Sequence, residues 1–256
     1  MAYDGTDFSG WAVQPARRTV CGVLEEALTQ ILRRRVRLTV AGRTDAGVHA
    51  TGQVAHMDIP SDVDVDALVP RLSRALPVDV RVSAMRQVPL DFDARFTALR
   101  RHYVYRVCDA AWQADPLTRG HIVPWPRPLD LPSLNAASTL LTGEHNFVAF
   151  CKRRDGASTI RELQRLKWTR TGSLLEAWVS ADAFCHSMVR SLVGALLAVG
   201  EGRKPVDWPA SMLSATERPS AISVAPAHGL ALIGVDYPAD EDLAARAQVT
   251  RNVRTR

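Results

Sequence analysis

Lysine is scarce in this chain: Lys152, Lys167 and Lys204 are the only three among 32 basic residues, so arginine carries nearly all the positive charge. Arginine offers planar, bidentate contacts to phosphate and stacks on bases, which lysine does not. Cysteine is sparse as well. Cys21, Cys108, Cys151 and Cys185 lie far apart with no C-x-x-C pair, which argues against a zinc knuckle and a secreted disulfide scaffold and favours a reducing cytoplasm. The chain has no run of roughly 18 apolar residues and no charged segment leading into an apolar one at its start, so neither membrane insertion nor export is indicated. Its seven histidines show no ligand spacing with cysteine or aspartate, so no metal is expected.

What is present is a chain of 256 residues, 46% of them apolar, enough to bury a sizeable core. The 32 basic and 27 acidic residues leave a net charge of +5, which points to an anionic partner. Arginines and their neighbours cluster at Arg33, Arg34, Arg35 and Arg37, at Arg100, Arg101 and His102, and at Lys152, Arg153 and Arg154. The ordinary meaning of such runs is a solvated face; three of them fit a tracked phosphate backbone.

Periodicity gives the organisation. After Thr19, a candidate N-cap, apolar residues recur at helical spacing from Val20 to Leu32. Strand-like runs follow at 37–41, 53–58, 80–88 and 101–108, with a helix over 64–76 that Pro70 should kink or break. A Pro- and Trp-rich stretch reads as a connection over 109–129. Beyond it come a helix at 131–141, strands at 159–170 and 173–181, a long helix over 184–199 and a last strand at 230–237. These elements divide the chain into an N-terminal subdomain, 1–108, a C-terminal subdomain, 130–238, and a polar tail, 239–256, expected to be mobile. The fold class is α+β: two ferredoxin-like subdomains sharing an extended, mostly antiparallel sheet flanked by helices, with a cleft between them.

The segment Gly42-Arg43-Thr44-Asp45-Ala46-Gly47-Val48-His49-Ala50 follows an apolar strand and presents an acid on a tight, glycine-flanked loop. By composition alone, Asp45 reads as an ordinary turn aspartate more readily than as a catalytic one. As a string, the segment closely resembles the catalytic motif of the TruA family of tRNA pseudouridine synthases. Tyr3-Asp4-Gly5-Thr6 with Gly10 and Trp11 resembles that family's opening, and Phe92-Asp93-Ala94-Arg95-Phe96 with Tyr103-Val104-Tyr105 is similar to a later motif. Gly143 to Phe147, Met188-Val189-Arg190 with Val193-Gly194, and Pro226 with Gly229-Leu230 follow in the family's order. In one respect the chain departs: family members carry a full strand before the Y-D-G segment, which here begins at residue 3.

The resemblance implies an isomerase that needs no cofactor and converts uridine to pseudouridine at positions 38, 39 and 40 in the tRNA anticodon arm. It implies a cytoplasmic homodimer and assigns three catalytic residues: Asp45, Arg190 as the cation that keeps it ionised, and Tyr103 against the base. Arg43, His49, Arg101 and Arg153, with Tyr103, are the substrate-binding candidates. Period two puts Tyr103 and Tyr105 on one strand face, so spacing does not choose between them. Three other classes compete, of which a metal-dependent nuclease is the weakest because the histidines show no ligand spacing. An RNA-binding module without catalysis shares the basic clusters but leaves Asp45 and Arg190 without a purpose; a glycoside or nucleoside hydrolase needs a second carboxylate in a comparable setting, which is missing.

Overall fold

The computed structural model describes residues 1–152, 156 and 158–251. In chain order the first part forms β1 (Ala2–Tyr3), α1 (Val20–Leu32), β2 (Thr39–Val40), β3 (His49–Ala50), β4 (Ala55–His56), α2 (Val65–Ala75) and β5 (Val80–Arg81). The middle forms β6 (Arg100–Cys108), β7 (Val123–Pro124), α3 (Leu131–Thr139), β8 (Gly143–Asn146), β9 (Ile160–Thr171), β10 (Leu174–Ala181), α4 (Met188–Gly200) and α5 (Trp208–Ser211). The last part forms β11 (Leu230–Asp236) and α6 (Leu243–Arg251). The chain gathers into two compact units, one of Met1–Leu99 with the chain returning from Leu232, the other of Arg100–Ala231.

In the first unit the strands run in the order β5-β1-β3-β11, with β2 and β4 paired as a separate ribbon. Thr19 caps α1 by accepting from the Gly22 N–H, and Val20, Cys21, Leu24, Ala27 and Leu28 form its buried stripe. Asp64 caps α2 by accepting from two backbone N–H groups, and that helix runs unbroken through Pro70. Proline removes one helical hydrogen bond, but burial of Leu68 and Leu72 at 1% and 0% exposure holds the flanking turns. The strand expected over 80–88 stops at Arg81, because Ser83, Ala84, Arg86 and Gln87 are exposed and offer no buried face.

The return of the chain to the first unit differs from the division expected at 108. Its cause is local: the Leu232 carbonyl accepts from Thr51 and Gly52, and the Asp236 carbonyl from Leu99. The stretch expected as a mobile tail carries α6, whose Leu243 and Ala247 are buried and whose Arg246 donates to the Ala98 carbonyl.

In the second unit the order is β6-β10-β9-β8, antiparallel throughout, with β7 parallel to β6. The eight-residue register from Leu174↔Cys108 to Ala181↔Arg101 fixes which β6 side chains share a face. Helix α4 starts at Met188, later than expected, because Ser187 takes a left-handed φ of 64°. It is apolar nearly all round; only Arg190 and Gly194, one turn apart, stand half-exposed along it. Each unit is thus α+β with mainly antiparallel strands.

Candidate active site

Asp45 lies on the loop joining β2 to β3 and is half-buried. Its carbonyl accepts from Val48 N–H at 3.2 Å, closing the turn. Two segments of the opening motif bind this loop from outside. Trp11 N–H donates to the Thr44 carbonyl at 3.0 Å, and Gly47 N–H to the Phe8 carbonyl at 3.3 Å. A Cβ added at Gly5 would lie 2.1 Å from the Val48 carbonyl oxygen, so that glycine is required by backbone-to-backbone approach.

Beneath the loop, Tyr3, Thr44 and Gln53 are 4%, 6% and 1% exposed. Tyr3 and Thr44 hydroxyls are 2.8 Å apart, and Gln53 Nε2 donates to the Tyr3 hydroxyl at 3.1 Å and the Gly42 carbonyl at 2.9 Å. Burial pushes the Tyr3 hydroxyl up to about 12, against the lowering influence of those two hydrogen bonds. His49 is 4% exposed and its Nδ1 accepts from Gly5 N–H at 2.9 Å. An amide N–H only donates, so the 3.1 Å approach of the same nitrogen to Asp4 is a crowded contact in this state rather than an ion pair. Arg43 is exposed beside the acid.

The other candidates belong to the second unit. On β6, Tyr103 is 7% exposed and meets Phe184 edge-on, centroids 5.1 Å apart. Tyr105 is fully buried and commits its hydroxyl to the Pro226 carbonyl at 2.9 Å. The structure therefore separates two tyrosines that spacing left equivalent. Burial raises the Tyr105 hydroxyl pKa well above the ordinary phenol range, although the charge of Arg190 works to lower it. Arg190 Nε donates to the Ala225 carbonyl at 2.8 Å while Ala225 N–H donates back to the Arg190 carbonyl. A strap around 223–226 thus anchors both Arg190 and Tyr105.

Arg101 was a candidate for direct substrate contact, yet it is 6% exposed and donates from Nη1 to the Asp182 carbonyl. That burial, like the burial of His49, fits support of the local backbone rather than a meeting with solvated phosphate. Arg153, with Arg154, lies outside the described residues. Arg33, Arg34, Arg35, Arg37, Arg100 and Lys152 are exposed, and Arg37 also pairs with Glu25 at 2.8 Å. Cys151 and Cys185 are joined as a disulfide with Cα atoms 5.7 Å apart, a pairing that their separation of 34 residues did not announce. Sequence reasoning also missed the Tyr3–Thr44 link and the strap; Gln53, three residues past the acid motif, was the available signal for the first.

The family model for tRNA pseudouridine synthase matches residues 1–97 and 137–238. The chain belongs to that synthase family. The matched segments of the synthase model include Asp45, Arg43, His49, Arg153 and Arg190; Tyr103 and Arg101 fall between them. The chain is similar to proteins named tRNA pseudouridine synthase A from Frankia casuarinae, 57% identical over 99% of this chain and 93% of the relative, and from Mycobacterium leprae, 54% identical over 100% and 94%. A synthase of the same name from Streptomyces griseus is 55% identical over 100% of this chain and 92% of its own length.

Proposed function

We propose that this chain is a tRNA pseudouridine synthase that isomerises uridines 38, 39 and 40 in the anticodon arm, with Asp45, Tyr103 and Arg190 as the catalytic residues that its family resemblance implies. The observation that carries this reading is the Asp45 loop, a carboxylate on a turn tied from both sides by backbone bonds and from below by a buried polar network. Rigid presentation of one acid is what the chemistry demands. The bond from ribose C1′ to uracil N1 breaks, the base turns, C1′ joins C5, the C5 proton leaves to water and N1 takes one up. Redox state is unchanged, and a single ionised carboxylate serves as nucleophile at C1′ or as base toward a sugar proton.

Arg190 is the cation that the family resemblance assigns to the reaction, and its Nε, donating to the Ala225 carbonyl, holds the guanidinium in one orientation. Tyr103 supplies an aromatic face for a uracil taken out of its stack. Arg43 and Arg153 are assigned to the tRNA backbone, and Arg101 and His49 to holding β6 and the acid loop. The reading of each unit as ferredoxin-like, the homodimer and the cytoplasmic location belong to the same proposal. Among the described residues no helix is long and apolar enough to cross a membrane.

The test is tritium release to water from a tRNA transcript labelled at uridine C5, comparing the parent with Asp45→Asn. Release by the parent at least about 1,000-fold faster than by the variant is the expected outcome. Equal release by both would remove Asp45 from the reaction; free uracil as the product would make the chain a hydrolase.

A further inference from the structure

The Gln53 hydrogen bonds beneath the acid loop have a forced direction. Gln53 Nε2 faces the Gly42 carbonyl, which can only accept, and Gln53 Oε1 faces Val54 N–H, which can only donate, so the amide orientation is fixed. Nε2 spends its second hydrogen on the Tyr3 hydroxyl. Tyr3 oxygen accepts from Gln53, and the Tyr3 and Thr44 hydroxyls lie 2.8 Å apart in a hydrogen bond that either can donate. The result is a linked chain, Gln53 to Tyr3 to Thr44, that ties the Gly42 carbonyl to the residue preceding Asp45. All three side chains are at least nine-tenths buried, so no water replaces a lost link.

We propose that Tyr3, Thr44 and Gln53 are positioning residues for catalysis: together they clamp the two sides of the Asp45 turn at one hydroxyl, and the Tyr3 hydroxyl is the junction on which the geometry of Asp45 depends. This rests on the reading of Asp45 as the catalytic acid. Tyr3 bridges the parts: its strand β1 pairs with β3 just after the acid loop, at Tyr3↔Ala50, while its ring end reaches Thr44 just before the acid. Removing the hydroxyl leaves both strand pairings in place and unties the loop from one side only. The effect falls on the placement of the carboxylate, where a shift of about 1 Å is enough to slow a reaction about 100-fold.

The experiment measures kcat and KM for tritium release, with thermal midpoints, for Tyr3→Phe, Thr44→Val, Thr44→Ser, the double variant Tyr3→Phe/Thr44→Val and Asp45→Asn, each assayed well below its own midpoint. Expected are a fall in kcat of about 10- to 100-fold in Tyr3→Phe and Thr44→Val, with KM for tRNA changed by less than about twofold. Thr44→Ser, which keeps the hydroxyl, restores the kcat lost in Thr44→Val, and the double variant falls little further than either single one because both cut the same link. Parent kcat in folded Tyr3→Phe, or a loss that Thr44→Ser fails to restore, overturns the positioning role even if Asp45→Asn is inactive. Full activity of Asp45→Asn overturns the reading of Asp45 itself.

Discussion

Three protons held by burial, on Cys21, Tyr3 and Tyr105, make the alkaline side of the stability curve a property of single residues. Burial pushes the Cys21 thiol up to about 12 from 9.0, with Glu25 nearby adding to the effect, and the Tyr3 hydroxyl up to about 12 from 10.0. In both cases the folded value is the higher one, so the unfolded chain loses its proton first as pH rises. The stabilisation is fully present below the unfolded values and is lost between them and about 12. Each group contributes a slope of about 1.4 kcal/mol per pH unit within its window. Urea midpoints measured from pH 8 upward should hold level to pH 9 and then fall. Cys21→Ala should delay the fall by about one pH unit, because the groups then left, the Tyr3 and Tyr105 phenols, start from 10.0 rather than 9.0; a variant curve that tracks the parent through that interval would show that Cys21 is not the group responsible.

At the scale of elements, α4 and the strap across it form one device. A Cβ added at Gly194 would sit 2.0 Å from the Ser223 carbonyl oxygen, so the strap lies directly on the half-exposed stripe that also carries Arg190. Gly194→Ala must push the strap away, and with it the Ala225 carbonyl that receives Arg190 Nε. Overpacking of this kind costs about 1–3 kcal/mol. Tritium release should fall more than the loss of folded protein accounts for, because the cation is released along with the packing; a thermal midpoint lowered with unchanged kcat would separate the strap from catalysis.

The same helix shows what was legible in the sequence. Its apolar run and its arginine were plain at helical spacing, as were α1, β6, β9 and β10, because long elements repeat their signal. Strands β1 and β3 are two residues each and have no period to read. The strap works through main-chain carbonyls at Ala225 and Pro226, for which side-chain patterns carry no sign. Asp45 and Tyr103 stood out in the sequence only because their segments resemble known strings; the Pro226 carbonyl that takes the Tyr105 hydroxyl had no sign in the side-chain pattern.

For the whole molecule the governing quantity is charge. A surplus of five positive charges is small for 256 residues, so attraction to tRNA must come from where the arginines sit. Arg33, Arg34 and Arg35 are exposed together at the end of α1, and Arg33 takes a left-handed φ of 54° as its cap, which makes it a poor choice for substitution. Arg34 and Arg35 serve better. If both meet phosphates, replacing them with glutamine should flatten the plot of log affinity against log salt by about 2, one per lost contact. Binding at low salt should weaken alike for every tRNA, since phosphate contacts carry no sequence information. The turnover of bound substrate should stay at the parent value, because neither residue lies in the acid loop. Fluorescence titrations of an anticodon-arm RNA at four or so salt concentrations decide the matter: an unchanged slope would make this cluster an ordinary solvated face and shift the burden of RNA attraction to the arginines nearer Asp45.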